Sequence, residues 1–403
     1  LSMFSRNHLY IGCFIFFLGA CRESKYLSEG EQLYTNNKIK VESSEKIKRG
    51  KVNDMKSALD DLLRPRLNGK FLGFRFKLWV YNIAGTPKRE KGLRHWLKTK
   101  VGEPPVLATP SLLEKNRDVL QNYLENKGYF RDTVMLATPV KNRHLTAVYT
   151  AHIGPQYTIR NVTYPKDTSD MLSIQLDSLK RRSRLRKGEA YDLDVIKDER
   201  NRIDARLKQR GYYFFSPNFV IVDVDSTIGN HQVDMSVKIK EETPEKATEI
   251  YHINKVTVFA EYDIHSDTIH HKGVMTPEGY RIIDTAALFK PSMFSNTLVF
   301  RPGSLYRTGD HNLSLSRLVS LGVFKFVKIR FQQVDTASSH LLDAYYYLNP
   351  TQKRSIRFEV SGLTRSDNST GGEVALSWRN RNIFRGAELF TASLFAGLEE
   401  QYL

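Results

Sequence analysis

Three times along the chain a leucine is followed four residues later by a glycine and two bulky apolar residues. These are Leu124 with Gly128-Tyr129-Phe130, Leu207 with Gly211-Tyr212-Tyr213, and Leu318 with Gly322-Val323-Phe324. Each glycine falls where a helical stripe stops, as after Val195, Ile196, Ile203 and Leu207. A residue just past a helix end is often left-handed, and glycine adopts that backbone at least cost. Gly128, Gly211 and Gly322 are therefore assigned to structure alone. Two β-patterned segments follow each glycine: 133–139 and 145–153, 219–224 and 233–239, 326–334 and 341–348. In 233–239 the residues Val233, Met235, Val237 and Ile239 alternate with polar neighbours, so one face is wet.

A further strand and a further helical stretch precede each of these helices. For the middle unit they are 156–164 and 171–179; the third opens with 250–260; the first opens with 32–41 and a helix near 53–63. The order strand, helix, helix, strand, strand defines an α+β class with tandem repeats. A basic, aromatic insertion at about 64–100 holds Trp79, Tyr81 and Trp96. It reads as a helical excursion packing on its own domain, with membrane or partner contact as the competing reading.

Beyond Pro350 the pattern changes. Ile356, Phe358 and Val360 alternate with Arg357, Glu359 and Ser361; Val374, Leu376 and Trp378 alternate with Ala375, Ser377 and Arg379; a third segment covers 388–397. Long alternating segments joined by turns at 365–372 and 380–386 are the weak signature of a membrane β-barrel, with Trp378 suited to an aromatic girdle.

At the other end, Arg6 and His8 precede an apolar run at 9–18 that stops at Gly19-Ala20-Cys21. The layout is that of a signal peptide, and the run is about half of the ~20 residues a spanning helix needs. Leu18-Gly19-Ala20-Cys21 resembles a bacterial lipobox, in which Cys21 is acylated and becomes the first mature residue. Cys13 leaves with the peptide, so no cysteine remains for a disulfide or a thiolate metal site. The chain of 403 residues carries a formal charge of +17. In an exported protein that charge meets anionic headgroups and envelope polymers, and nucleic acid is not expected as a partner. The densest basic run, Lys180, Arg181, Arg182, Arg184, Arg186 and Lys187, reads as a solvated helix end and turn.

Taken in order, these parts resemble the BamA/TamA superfamily of outer-membrane assembly and translocation proteins, in which periplasmic POTRA domains precede a carboxy-terminal barrel. The Gly-Tyr-Phe and Gly-Tyr-Tyr steps are similar to those of POTRA domains, and residues 378–388 are similar to the family's barrel opening. A lipobox with Lys25-Tyr26-Leu27 soon after it points to lipoprotein TamA-like (TamL-type) members, as in Bacteroidetes. The resemblance implies a signal peptide at 1–20 and POTRA-like domains at 21–154, 155–243 and 244–350. It also implies the start of a transmembrane antiparallel barrel at 351–403. Family barrels have about sixteen strands, so the sequence reads as the amino-terminal part of a longer protein.

No nucleophile elbow, zincin, P-loop or dinucleotide fingerprint is present. Asp263, His265, Asp267, His270 and His271 form the best candidate metal or acid/base cluster, and polar loops gather such residues routinely. No enzyme activity, cofactor or energy source is expected. The mechanism the resemblance implies is strand addition: an open sheet edge pairs with an extended client through main-chain hydrogen bonds indifferent to client sequence. In the middle unit that edge is Phe219, Val220, Ile221, Val222 and Asp223. Implied partners are unfolded outer-membrane clients, outer-membrane lipid, and a periplasmic or inner-membrane partner of the TamB type. The implied location is the outer membrane with the POTRA arm in the periplasm. The competing functions are a dedicated two-partner-type secretion pore, an envelope tether with a barrel anchor, a lipid-transport component, and an enzyme with a site near Asp263 to His271.

Overall fold

A computed structural model describes residues 27–71, 73–87, 91–166, 170–263, 273–334, 340–364, 366 and 369–401. The expected signal peptide at 1–20 and Cys21 lie outside them, as do His265, Asp267, His270 and His271. The chain divides into two compact units. One comprises Leu1–Thr163, Arg184–Lys197 and Asp223–Ser236; the other comprises Tyr164–Ser183, Asp198–Val222 and Val237–Leu403.

The first repeat lies in the first unit. Strand β1 (Leu33–Ser43) is followed by helix α1 (Arg49–Leu62), the insertion helix α2 (Phe76–Ala84) and helix α3 (Pro110–Asn126). Strands β2 (Thr133–Ala137), β3 (Val140–Lys141) and β4 (His144–Ile153) close the repeat. The sheet order is β1-β4-β2, with β1 parallel and β2 antiparallel to β4. Helix α3 starts where Pro110 follows the capping Thr109, whose hydroxyl accepts the Leu112 N–H at 3.4 Å. One face of α1 and α3 (Met55, Leu59, Leu113, Leu120, Leu124) packs on Tyr34, Ala147, Tyr149 and Ala151 of the sheet. Each such side chain, fully buried, contributes about 1.5–3 kcal/mol of transfer free energy.

The insertion packs on its own domain, as the first of its two readings holds. Leu78 of α2 is buried against Leu27 and Leu33, and buried Arg75 donates to the Thr35 carbonyl at 2.6 Å. Phe71, Leu93 and Trp96 nevertheless stay largely exposed.

The middle repeat contributes to both units. It contains β5 (Thr158–Thr163), helix α4 (Met171–Ser178), helix α5 (Leu193–Lys208), β6 (Val220–Asp225) and β7 (Gln232–Ile239), with sheet order β5-β7-β6. The Asp170 carboxylate caps α4 by accepting the N–H groups of Leu172 and Ser173 at 3.2 and 2.9 Å.

The third repeat, in the second unit, departs from the simple pattern. Strand β8 (His252–Phe259) is followed by β9 (Val274–Met275) and β10 (Tyr280–Ile283), which the sequence pattern did not disclose. Helices α6 (Pro291–Thr297) and α7 (Thr308–Ser320) precede β11 (Phe324–Gln333) and β12 (Leu341–Pro350). The sheet order β11-β12-β8-β10-β9 makes five strands and puts β8 at the centre. Two added strands of two and four residues are too short to show a period. Their pairing is carried by Tyr280, Ile282 and Ile283, all buried.

Strands β13 (Arg354–Thr364), β14 (Ser369–Asn380) and β15 (Phe390–Gln401) form a separate antiparallel meander in the second unit. Among the described residues no helix is long and apolar enough to cross a membrane.

Candidate functional site

The three glycines all have left-handed backbone, with φ of 84° at Gly128, 102° at Gly211 and 66° at Gly322. Two of them also form joints to the repeat that follows. The Gly128 carbonyl accepts the Tyr157 N–H, and Phe130 sits with its centroid 4.9 Å from both Tyr157 and Tyr191. Lys127 adds ion pairs to Asp192 and Asp194 at 2.9 and 3.0 Å. In the second joint, Gly211 accepts from Tyr251 while Tyr213 lies against Tyr306 and Phe331. The aromatic residue after each Gly-Tyr thus belongs to an interface, a role that repeat spacing alone does not reveal.

Strand β6 lies at an edge of its sheet. Val220 is fully buried, whereas Ile221 is 38% exposed and Asp223 is exposed. Main-chain direction follows from two bonds. Lys240 N–H donates to the Phe219 carbonyl at 2.9 Å, and Thr158 N–H donates to the His231 carbonyl at 3.0 Å. Odd-numbered residues of β7 therefore turn toward β5 and even-numbered residues toward β6. It follows that Phe219, Ile221 and Asp223 spend their main-chain groups on β7. Val220, Val222 and Val224 present theirs at the open edge. The five residues Phe219 to Asp223 thus divide into two sets by the direction of their main-chain groups.

The second feature is the β13–β15 meander. Its register places Ile356 beside Trp378, Phe358 beside Leu376 and Val360 beside Val374. On β15, Leu394 lies beside Leu376 and Ala396 beside Val374. Ile356, Phe358, Val360 and Leu394 are between 66% and 74% exposed and Leu398 is 87% exposed, so a whole sheet face is apolar and open. The opposite face carries Arg357, Glu359, Glu373, Ser377 and Ser393, with the two serine hydroxyls 2.8 Å apart, and is interrupted by Ala375 and the exposed Phe395. An apolar face this broad is unfavourable in water, since apolar surface contributes about 25 cal/mol for each Å² removed from it.

The turn between β14 and β15 is fastened to the third repeat. Asn382 donates its side-chain amide to the Leu288 carbonyl at 2.8 Å and accepts the Ala387 N–H at 3.0 Å. The Lys290 N–H donates to the Arg385 carbonyl at 2.7 Å, and Ala387 is buried in the core that includes Phe289 and Phe324. The Glu388 carboxylate accepts its own main-chain N–H and those of Gly386 and Phe384, which together hold its pKa below the usual range. The resemblance at 378–388 gave no sign that this turn also closes a neighbouring core.

Of the candidate metal cluster only Asp263 is described. Among the described residues no group of three or more His, Cys, Asp or Glu is placed to hold a metal ion.

Repeated β-α-α-β-β units with an edge strand, followed by a three-stranded antiparallel meander with one largely apolar face, define an α+β tandem-repeat protein. Residues 171–242 match the family model described as POTRA: Surface antigen variable number repeat. The middle repeat is accordingly POTRA-like. No curated protein matches the chain. Among solved structures the chain is similar to POTRA3-5 of Haemophilus influenzae BamA. That match has 15% identity, covers 80% of this chain and 99% of that one, and has a TM-score of 0.39. It is also similar to Haemophilus ducreyi BamA lacking POTRA domains 1–3, at 15% identity and a TM-score of 0.36, covering 60% of this chain and 43% of that one. CdiB from Acinetobacter baumannii matches at 11% identity and a TM-score of 0.31, covering 61% and 39%.

Proposed function

We propose that the chain belongs to an outer-membrane protein assembly or translocation factor. Its POTRA-like repeats receive extended client segments in the periplasm and pass them to a barrel that begins with β13–β15. The observation that carries this reading is one open apolar face on a regularly paired meander directly following a series of edge-bearing repeats. Lipid is the solvent that suits such a face, and a closed barrel is the sheet form without exposed edges in a bilayer. Trp378, near the turn end of β14 and 5.8 Å from Phe390, suits an interfacial ring.

Strand addition at β6 supplies the client-binding step. Main-chain donors and acceptors of Val220, Val222 and Val224 pair with any extended segment, and the exposed Ile221 and Asp223 side chains bias the choice. Clients are unfolded outer-membrane proteins. A TamB-type partner in the periplasm or inner membrane, and a lipid on Cys21 holding the far end of the arm as in TamL-type lipoproteins, complete the proposal. No catalytic residue is required.

The test uses the full-length protein in outer-membrane fractions, with a photocrosslinker at Ile221 and a radiolabelled nascent outer-membrane protein as client. Crosslinks that disappear when Val222 is replaced by proline support strand addition; crosslinks that persist unchanged sink it. Changing Cys21 to Ser should leave the protein membrane-embedded. A soluble mutant would mean that the lipid is the sole anchor.

A further inference from the structure

The basic residues of the run at 180–187 are all exposed, as a solvated helix end and turn requires, and two of them also line a recess. Arg181 and Arg182, on the single 3-10 turn Lys180–Arg182, line a recess with Ser178, Leu179, Arg202, Arg206 and Arg210. Arg202 and Arg206 stand one turn apart on α5, and Arg210 follows just past its end. Five guanidinium groups from two elements therefore converge on one depression.

Two of the five are held in place. Arg202 donates from Nε and Nη2 to the Glu199 carboxylate at 2.8 and 2.6 Å, and from Nη2 to the Leu179 carbonyl at 3.1 Å. Glu199 is fully buried and also accepts the Tyr164 hydroxyl at 2.7 Å. Arg210 donates to the Ser178 hydroxyl at 2.7 Å, to the Gln175 main-chain carbonyl at 3.3 Å, and to the Gln175 side chain. These contacts orient the recess and use a single negative charge.

Arg181, Arg182 and Arg206 have no ion pair among the described residues. The nearby carboxylates are engaged elsewhere: Asp177 pairs with Lys180 at 3.0 Å and Asp204 with Lys208 at 2.9 Å. Gathering like charges without a counter-charge is unfavourable, and a bound anion relieves it. A lone carboxylate offers two oxygens, whereas a phosphomonoester offers three and a charge of about −1.5 to −2. Three unpartnered guanidiniums match the second chemistry, because each fork can take one pair of oxygens.

We propose that this recess binds a phosphate group, carried on a lipid headgroup or on a soluble phosphate compound. The site is separate from the β6 edge and does not depend on the strand-addition reading.

The experiment titrates sodium pyrophosphate into the full chain by calorimetry, comparing wild type with Arg181→Gln/Arg182→Gln/Arg206→Gln and with the charge-matched control Lys325→Gln/Lys328→Gln/Lys353→Gln. Thermal melts establish that all three are folded. Binding weakened about tenfold or more in the arginine variant alone is the expected result, since several charge-assisted bonds are removed together. A second arm floats the proteins with phosphatidylcholine vesicles containing phosphatidic acid. Capture that the arginine variant loses identifies a headgroup source; capture unchanged, with pyrophosphate binding lost, identifies a soluble one. Equal weakening in the lysine control, absence of pyrophosphate binding, or binding of poly-glutamate without pyrophosphate would each overturn the proposal.

Discussion

The carbonyl of Gly211 accepts the main-chain N–H of Tyr251 at 2.9 Å, and Gly128 stands in the same relation to Tyr157. A residue chosen for its left-handed backbone at a helix end thus also fixes the first residues of the next repeat. At Gly211 a side chain is excluded twice over. Besides φ of 102°, an added Cβ would lie 2.6 Å from Ile250 Cγ2 and 2.7 Å from Leu305 Cδ1. At Gly322 the added carbon would meet nothing within 4 Å.

Gly211→Ala is therefore expected to destabilise the chain more than Gly322→Ala. The latter should cost about 1–2 kcal/mol from left-handed strain alone, and the former should add about 1–3 kcal/mol of overpacking. Urea unfolding of the two variants checks the order; equal midpoints would refute the joint.

At the β6 edge, Val222→Pro removes an N–H that points outward, whereas Ile221→Pro removes one that bonds to β7. The first should leave the melting temperature nearly unchanged. The second should cost about 1–3 kcal/mol, since proline within a paired strand forfeits a ladder bond and leaves its acceptor unsatisfied. Thermal denaturation distinguishes the two, and reversed outcomes would invert the assignment of which residues face the edge.

Asp132, 9% exposed, follows the first Gly-Tyr-Phe, and its carboxylate has no hydrogen-bond partner among the described residues. Burial, with a smaller contribution from the Glu125 charge, pushes its pKa up to about 6. The folded state then holds the proton more tightly than the unfolded state, so stability falls as pH rises from about 4 to about 6. Asp132→Asn removes the titrating charge. It should stabilise the chain at pH 8 by about 1–3 kcal/mol relative to its effect at pH 4. Denaturant melts at the two pH values report the difference, and a pH-independent effect would contradict it.

Truncating Asn382 to Ala leaves the Leu288 carbonyl and the Ala387 N–H without their partner. The expected cost is about 1–3 kcal/mol, concentrated in the β14–β15 turn. Hydrogen exchange should speed up at Ala387 with little change in the first repeat. Unchanged protection at Ala387 would mean that the turn is held by packing alone.

The two faces of the meander should respond differently in the full-length protein. Leu376→Arg puts a charge on the apolar face beside Phe358 and Leu394 and should cost about 2–4 kcal/mol if that face meets the bilayer midplane. Ser377→Arg, one residue on, faces the polar side and should be tolerated. Folding into liposomes, followed by the heat-sensitive gel shift of closed barrels, gives the readout. Similar yields for both would argue against a lipid-facing surface.

Much of this architecture is legible in the sequence because it is local. The three helix-stopping glycines, the alternation of Val233 through Ile239, and the two-sided pattern of Ile356 through Ser361 depend on residues within one element. The order of such elements along the chain then gives the α+β class. Long-range pairing was not legible. The strands β9 and β10 are shorter than any period that could announce them, and the bonding direction of Ile221 depends on Phe219 meeting Lys240 across a hairpin. The clustering of Arg181 and Arg182 with Arg202, Arg206 and Arg210, which a linear reading takes for a solvated turn, exists only once α4 and α5 are packed. Sequence by itself determined which residues want water or apolar surroundings and where the backbone must turn, since those are properties of single side chains and near neighbours. Tertiary structure decided which edge stays open, which charges share a recess and which turn closes a neighbouring core, because each is set by distances between residues far apart in the chain.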